Sequence, residues 1–474
     1  MNSHSVNDFS NSNFDFFVAE SIRDVIWMGL KKKFRNLFLD KIEILKFFPR
    51  IMEIKKGFST KIDEQFSLHI AENNNKQEFQ QILKLNIKVH GEQIREYLNR
   101  IYLDHPKRDN IYCFYVKDNE VDQIVSGLIL LPLEWFIGGN IFSVCEMGFV
   151  GTLEEYRGKG FIRKLNEIYE RVMAERGYLM SVIRGIPYYY RKLNYGFAIP
   201  LDNRILLSPS RIPTTNLNHL QIRKAIHKDI EFVETLYNKY YKNFFISNKF
   251  NKEEFLFRFF NDEFNDFKLS TYIIEVDGKS EAFFSLGMSY DNTAYTIVVP
   301  HLTNNQMIKV LQYIKKINIF PKDNDIDFHI YEYTEFGKKI IALGGYHYQD
   351  YGWQVKILDL KKFLEAIKII LEHRIAESDF KGLNYDLIIS NYEEELHISF
   401  KDGIITAIGM KKGYSDEKLC DLRIPGSFLY KLLLGDKKFD EIQYIIKDAM
   451  IKKELKLLIN ILFPKHISLP DTYY

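Results

Sequence analysis

The sequence predicts an α/β (α+β) fold: two tandem mixed-sheet domains, then a small α+β domain, with a helical extension at the N-terminus. Three observations point there. The chain has 474 residues, about three times the length of a typical domain. Apolar residues make up 46% of it, which excludes a disordered chain. Strand-length apolar runs and helical spacings also follow one another twice in the same order between residues 66 and 360, before a third pattern begins. These shifts divide the chain into an extension over 1–62, a first domain over 63–212, a second over 218–360 and a third over 361–474.

In the extension, Val18, Ile22, Ile26, Leu30, Phe34, Phe38 and Ile42 recur every fourth residue, the spacing of one helix face. Lys31, Lys32, Lys33 and Arg35 lie on its other sides. Asp40 and Glu43 dilute that charge, so a helix packed on its neighbour is expected rather than a membrane anchor. The first domain opens with a strand at Phe66–Ala71. Two helices follow between Lys76 and Asp104, with Gly91 as the break. Ile111–Val116 and Ile124–Pro132 run apolar as strands do. From Ile124 to Cys145 the only charge is Glu134. Pro132 and Gly138-Gly139-Asn140 cut that run into two strands and a hairpin turn, so it is too interrupted to span a membrane. After the strand Ile141–Gly151, the spacing of Ile162, Leu165, Ile168, Tyr169 and Val172 gives a helix over Phe161–Arg176. A short buried strand (Leu179–Ile183), a short helix (Tyr188–Asn194) and a final pair of strands complete the domain. Ser208–Asn218 reads as a linker.

The second domain repeats this outline, from a strand at Leu220–Ala225 to a last strand near Val355. The third begins with the helix Phe363–Glu372 and two alternating strands around Lys401-Asp402-Gly403. It ends in the aromatic tail LPDTYY.

Composition excludes several classes of function. Lys plus Arg is 65 against 63 for Asp plus Glu, so there is no basic excess of the kind nucleic acid rewards. Cys113, Cys145 and Cys420 are far apart, giving neither a disulfide framework nor zinc spacing. No His/Cys/Asp cluster has metal spacing, so no metal is expected. The polar start MNSHSVNDFSNSN is not a signal peptide, and the expected location is the cytoplasm.

Chemistry concentrates between Glu146 and Phe197. There Arg157-Gly158-Lys159-Gly160 stands between a strand and a helix. A helix N-terminus carries free N–H groups and the positive end of the dipole, and glycine lets an anion approach the backbone. With Arg163 and Lys164 close behind, the loop suits a phosphate or pyrophosphate. It lacks the Gly-Lys-Ser/Thr of a Walker loop and the full GxGxxG of a dinucleotide site.

The order Arg157-x-x-Gly160-x-Ile162 after a strand, followed about thirty residues later by YRKLNYGF, resembles the GNAT superfamily of acyl-CoA-dependent N-acyltransferases. Ile162 stands where that family has Gly or Ala. Arg-Gly-Lys-Gly-Phe-Ile-Arg and YYRKLNYGF resemble instead the corresponding motifs of the enhanced-intracellular-survival (Eis) branch. That branch has two tandem GNAT folds and a sterol-carrier-like domain ending in an NDYF-type tail. The likeness covers residues 65 to 474.

The resemblance implies an acetyl-CoA-dependent N-acetyltransferase acting on a primary amine: an aminoglycoside, a polyamine, a small amine or a lysine side chain of a peptide. Transfer of a longer acyl chain and a non-catalytic lipid-binding or scaffold role remain alternatives. Arg157, Gly158, Lys159, Gly160, Phe161, Ile162 and Arg163 would hold the CoA pyrophosphate. Backbone N–H groups of Phe149, Val150 and Gly151 would take the pantetheine and the thioester carbonyl. Tyr190 would protonate the leaving thiolate, with Arg191 and Lys192 expected to favour its ionised form. Glu146, eleven residues before Arg157, is a candidate base, and the resemblance adds the terminal carboxylate of Tyr474. It also implies a homo-oligomer, hexameric among Eis relatives. The second domain, reading YTIVVPHLTNNQMIKVLQYI, lacks the arginine and glycine of the loop and is expected to have no CoA site. Trp135, Phe136 and Tyr189 are expected in packing rather than around an amine. His90 and His105, outside any motif, are expected at the surface.

Overall fold

In the computed structural model, the structure describes residues 54–470 apart from 74, 202, 265–267, 290–292, 320, 322–323, 350 and 414–419. The expected helix over 18–42 and the residue Tyr474 lie outside the described residues. Of the span read as an extension, Ser59–Lys61 is a strand rather than helix, pairing antiparallel with Phe66–Ile70.

The interrupted apolar run forms one long hairpin, as its turn residues require. Strand Gln123–Ile137 pairs antiparallel with Asn140–Thr152, and Gly138 and Gly139 take positive φ between them, the backbone of a tight hairpin turn. This hairpin is the centre of the first sheet, flanked by Tyr112–Asp118 on one side and Ser181–Ile183 on the other. Helices Lys76–His90 and Phe161–Glu175 pack on it, burying Phe79, Ile82 and Leu83 from one and Leu165, Tyr169 and Val172 from the other. Gly91 ends the first of these, as its sequence position predicts.

The last strands of the two repeats depart from the expected order. Asn203–Leu207, read as closing the first domain, pairs with Ile326–Ile330 in the second sheet. Gly352–Lys356, read as closing the second, lies in the first sheet between Ser181–Ile183 and Gly196–Pro200. Apolar spacing identifies a strand but not its partner, so the sequence carried no sign of this exchange. The first sheet therefore takes two strands from the second half, Gly352–Lys356 and also Ile246–Asn248 at the edge of Gln123–Ile137, and the second sheet takes Asn203–Leu207 from the first.

A third sheet of five strands follows, in the order Ile404–Lys412, Glu394–Lys401, Tyr385–Ser390, Leu422–Arg423, Met450–Ile451. Helix Leu360–Ala376 covers it, burying Phe363, Ile367 and Leu371. Helix Gly426–Leu433 joins this layer to the first sheet. A side chain at Gly196 would stand 2.8 Å from Ser427 Cβ, so strand and helix touch at the glycine. Among the described residues, no helix is long and apolar enough to cross a membrane.

Candidate active site

The centre of the site is a break in the first sheet. Asn140–Thr152 runs parallel to Ser181–Ile183, but the ladder covers only Cys145–Ser181 and Glu146–Val182. Past Glu146 the two strands part. On the other edge, the register with Gln123–Ile137 slips between Gly127 and Ile129. Phe149 absorbs the extra residue with a φ of +52°, a conformation non-glycine residues rarely hold outside a bulge. The bulge turns Gly148, Phe149 and Val150 toward a cavity of about 440 Å³, and leaves their backbone without the parallel partner that Cys145 and Glu146 have. Gly151 is set back from the opening. It lies so close to helix Lys76–His90 that a Cβ would stand 2.8 Å from Val89, and its carbonyl accepts from Ser126 Oγ at 3.2 Å.

Glu146 is the last residue before the strands part. Its side chain is buried and lines the cavity. Arg184 Nε donates to its Oε1 at 3.2 Å, while Oε2 is buried without a hydrogen-bond partner. Burial raises the Glu146 pKa above the usual carboxylate range, and the Arg184 charge opposes that rise. The result is a buried carboxylate with one oxygen tied to Arg184 and the other unpaired. Arg184 is held in turn over the Trp353 ring, with Cζ 5.4 Å from its centroid.

Tyr190 lines the same cavity and is 6% exposed. Its pKa is raised, first by burial and then by Tyr189 and Tyr351. This corrects the expectation that Arg191 and Lys192 favour its ionised form: both are exposed, and Arg191 lies over Tyr188 instead. A phenol that keeps its proton through the neutral range suits an acid.

Gly185 positions this ring. A Cβ there would stand 2.0 Å from Tyr190 Cε2. The Gly185 carbonyl accepts from Gln354 Nε2 at 2.7 Å and from Tyr351 Oη. Tyr351 and Gln354 belong to the segment that crosses from the second half, so the exchanged strand braces the phenol.

The phosphate loop leads into helix Phe161–Glu175. Gly158 and Gly160 have φ of +82° and +78°, with nothing within 4 Å of where either Cβ would lie. Gly160 is the N-cap and supplies no side-chain cap; the Arg163 amide turns back to Gly160 O at 3.1 Å, so the amides ahead of it in the first turn are the ones left for an anion. Arg157, Lys159 and Arg163 are exposed; Arg157 lies 4.0 Å from Glu154, and Lys159 lies over Phe66. Phe161 and Ile162 point into the core, Phe161 against Phe66 at 4.9 Å. They can offer only backbone to a ligand.

The equivalent helix of the second half, Asn304–Ile317, is closed. Thr303 Oγ1 accepts from Gln306 N at 3.3 Å, and Gln306 Oε1 accepts from Thr303 N at 2.9 Å. This capping box occupies donors that an anion would need.

Four contributors to the cavity region escaped sequence reasoning. Ser289, Thr296 and His329 reach the cavity from the second sheet. Of the three, His329 is on the strand Ile326–Ile330, Thr296 is on the short strand Tyr295–Val298 that the sequence reading did not single out, and Ser289 follows the end of Lys279–Met288. His90, expected at the surface, lines the cavity and bonds the Phe149 backbone, with its pKa lowered by burial. His105 is also buried, packing edge-on to Phe257, and burial with nearby Lys107 and Arg100 lowers its pKa to about 3. Trp135 is packed against Trp353 at 5.9 Å, as expected for a core residue.

The tail docks as far as it is described. Leu469 N donates to Ile246 O at 2.7 Å, and Phe245 N donates to Ile467 O at 2.9 Å. Tyr331 Oη donates to Pro470 O at 2.9 Å, and Tyr333 Oη donates to Ser468 O. Leu469 and Pro470 line a small pocket that shares Thr296 and His329 with the larger cavity. Among the described residues, no group of His, Cys, Asp and Glu could hold a metal ion.

Residues 71–198, which contain the bulge, the loop and Tyr190, match the acetyltransferase (GNAT) domain family. No curated protein matches the chain. Among solved structures, the fold is similar to a probable N-acyltransferase of unknown function from Enterococcus faecalis, with a TM-score of 0.63 at 12% identity over 86% of this chain and 100% of that one. It is similar to a GCN5-related N-acetyltransferase from Anabaena variabilis, with a TM-score of 0.61 at 14% identity over 85% and 99%. The Eis1 protein of Mycobacterium abscessus gives 0.54 at 10% over 86% and 100%. At these identities the likeness establishes the fold, a tandem arrangement of mixed sheets.

Proposed function

We propose, from the premise that residues 71–198 are a GNAT acetyltransferase domain, that the chain is an acetyl-CoA-dependent N-acetyltransferase. It transfers acetyl directly to a primary amine while both substrates are bound. The observation that carries this reading is the convergence of Glu146, with a bare buried oxygen, and protonated Tyr190 on the cavity beside the Phe149 bulge.

Amine attack on a thioester needs a proton acceptor, donors for the developing oxyanion and an acid for the leaving thiolate. Acetyl-CoA supplies the thioester when bound. The open amides at Gly160 and Phe161, with Arg157, Lys159 and Arg163, hold its pyrophosphate. The backbone at Phe149 and Val150 takes the pantetheine and polarises the carbonyl. The Glu146 carboxylate accepts the ammonium proton, directly or through water, and Tyr190 Oη gives its proton to the sulfur. The terminal carboxylate of Tyr474 joins Glu146 in orienting the ammonium, a role supported by the docking of the tail beside the cavity as far as Pro470. The acceptor belongs to the class of aminoglycosides, polyamines, small amines or lysine side chains.

Acetyl-CoA titration by calorimetry, joined to thiol release with a panel of such amines, tests this reading. One-to-one binding with amine-dependent release of CoA is expected. Absence of acetyl-CoA binding overturns it.

A further inference from the structure

Away from the catalytic cavity, a second pocket of about 470 Å³ lies where the hairpin turn at Gly138–Asn140, the end of helix Ile230–Tyr241, helix Leu360–Ala376 and the tail meet. Its charge is one-sided. Arg374, Lys242, His373 and His466 line it, and no Asp or Glu does.

Arg374 is the unusual member. Nη1 donates to Leu462 O at 2.6 Å, and Nη2 donates to His466 Nε2 at 2.7 Å. The guanidinium also lies 5.2 Å from the Phe245 centroid. No carboxylate meets it among the described residues. Two neutral acceptors and a ring offset only part of the desolvation cost of a half-buried guanidinium that no carboxylate among the described residues meets, and burial lowers its pKa to about 10. His466, stacked on Phe245 at 4.3 Å, has its own pKa lowered to about 4, by burial and then by the Arg374 charge. It accepts from Arg374 as a neutral ring and adds no charge of its own. Two of the five guanidinium donors are in use, which leaves three for an oxyanion.

The walls beside these cations are apolar. Ile369 is 64% exposed on the helix, and Phe244 is half-buried opposite the tail.

We infer that this pocket binds a phosphate monoester carrying a compact apolar group. Arg374 and Lys242 bring two fixed positive charges, which match a dianion. The guanidinium fork meets two phosphate oxygens, and His373 stands at the rim as a further donor. Ile369 and Phe244 cover the apolar group. None of the residues lining this pocket lines the catalytic cavity, so the inference is independent of the acetyltransferase reading.

The test is calorimetric titration of phenyl phosphate into the full chain, with inorganic phosphate and phenol as comparison probes. The Gly160→Val variant is titrated alongside to remove binding at the phosphate loop. Phenyl phosphate is expected to bind one-to-one in both proteins, at least about tenfold tighter than inorganic phosphate, with no heat from phenol. Arg374→Gln should abolish this binding. Because Arg374 also holds the tail, Lys242→Ala provides a second, exposed probe, and it should weaken binding about tenfold, the usual worth of a charged hydrogen bond. Two results overturn the inference: no binding of phenyl phosphate in Gly160→Val, or binding unchanged in both Arg374→Gln and Lys242→Ala.

Discussion

Gly185 and Tyr190 occupy adjoining space that admits no further atom: a methyl group on Gly185 would stand 2.0 Å from Tyr190 Cε2 and 2.3 Å from Cδ2. The ring cannot remain in place beside a side chain at position 185. Gly185→Ala is therefore expected to reduce turnover by at least about a hundredfold by displacing the phenol, while acetyl-CoA affinity stays within about threefold of wild type. Steady-state kinetics beside calorimetry separates the two quantities. Wild-type turnover in the variant would remove Tyr190 from the reaction.

Tyr190→Phe deletes only the hydroxyl. Acetyl-CoA should bind as before, with turnover lowered on the order of 10²–10⁴-fold. Because burial raises the Tyr190 pKa, the wild-type rate should hold through pH 9 without a basic limb from this group. A rate that falls between pH 7 and 9 and is flattened by Tyr190→Phe would contradict a phenol that stays protonated.

For Glu146 the sign runs the other way. A base works only when ionised, and burial raises the Glu146 pKa against the pull of Arg184. The rate should thus fall as pH drops through a value above the ordinary 4.5 of a glutamate. Arg184→Met removes the opposing charge and should move that acidic limb to higher pH. Glu146→Gln should eliminate the limb along with at least about a hundredfold of kcat/KM. An unchanged limb in Arg184→Met would show that another group titrates.

At the loop, Gly160→Val places a branched side chain at a φ of +78°, a backbone cost of about 1–2 kcal/mol. Its Cβ would meet nothing in the protein, so the fold should survive. The side chain would project where a pyrophosphate must approach, and acetyl-CoA affinity should fall at least about tenfold. Calorimetry with circular dichroism checks both. Unchanged affinity would mean that the pyrophosphate lies elsewhere.

Removing Tyr473 and Tyr474 should abolish acetyl transfer and spare acetyl-CoA affinity, since the docked part of the tail ends no earlier than Pro470. Amidating the chain terminus removes only its charge and is the sharper measurement. Full activity in the amidated protein would leave Glu146 as the sole base.

Much of this was legible in the chain because local rules governed it. The hairpin followed from Gly138 and Gly139, the break after His90 from Gly91, and the anion-ready helix end from Gly158 and Gly160. What the sequence concealed depended on which strand lies beside which. Asn203–Leu207 and Gly352–Lys356 read correctly as strands, but their spacing carried no address. Everything downstream of that exchange was hidden with it: Gln354 and Tyr351 bracing Gly185, and Ser289, Thr296 and His329 reaching the cavity. His90 escaped for a different reason. It ends a helix whose last residues come within van der Waals distance of Gly151, and no local pattern reports such a contact. Tyr190 stands out by its motif, but the effect of its neighbours does not, because Arg191 and Lys192 adjoin it in sequence yet are exposed, and Arg191 lies over Tyr188.

The strand exchange also bears on how the protein is made. Among the described residues, the slot between Ser181–Ile183 and Gly196–Pro200 is filled by Gly352–Lys356 alone. On the ribosome, the N-terminal sheet must therefore wait for some 150 further residues, on the order of 10–30 s at ordinary elongation rates. Throughout that interval Ser181–Ile183 and Gly196–Pro200 offer unpaired edges to any passing strand. A nascent chain stalled near residue 300 should bind chaperones and resist refolding, while one released after residue 360 should already hold a protease-resistant N-terminal half.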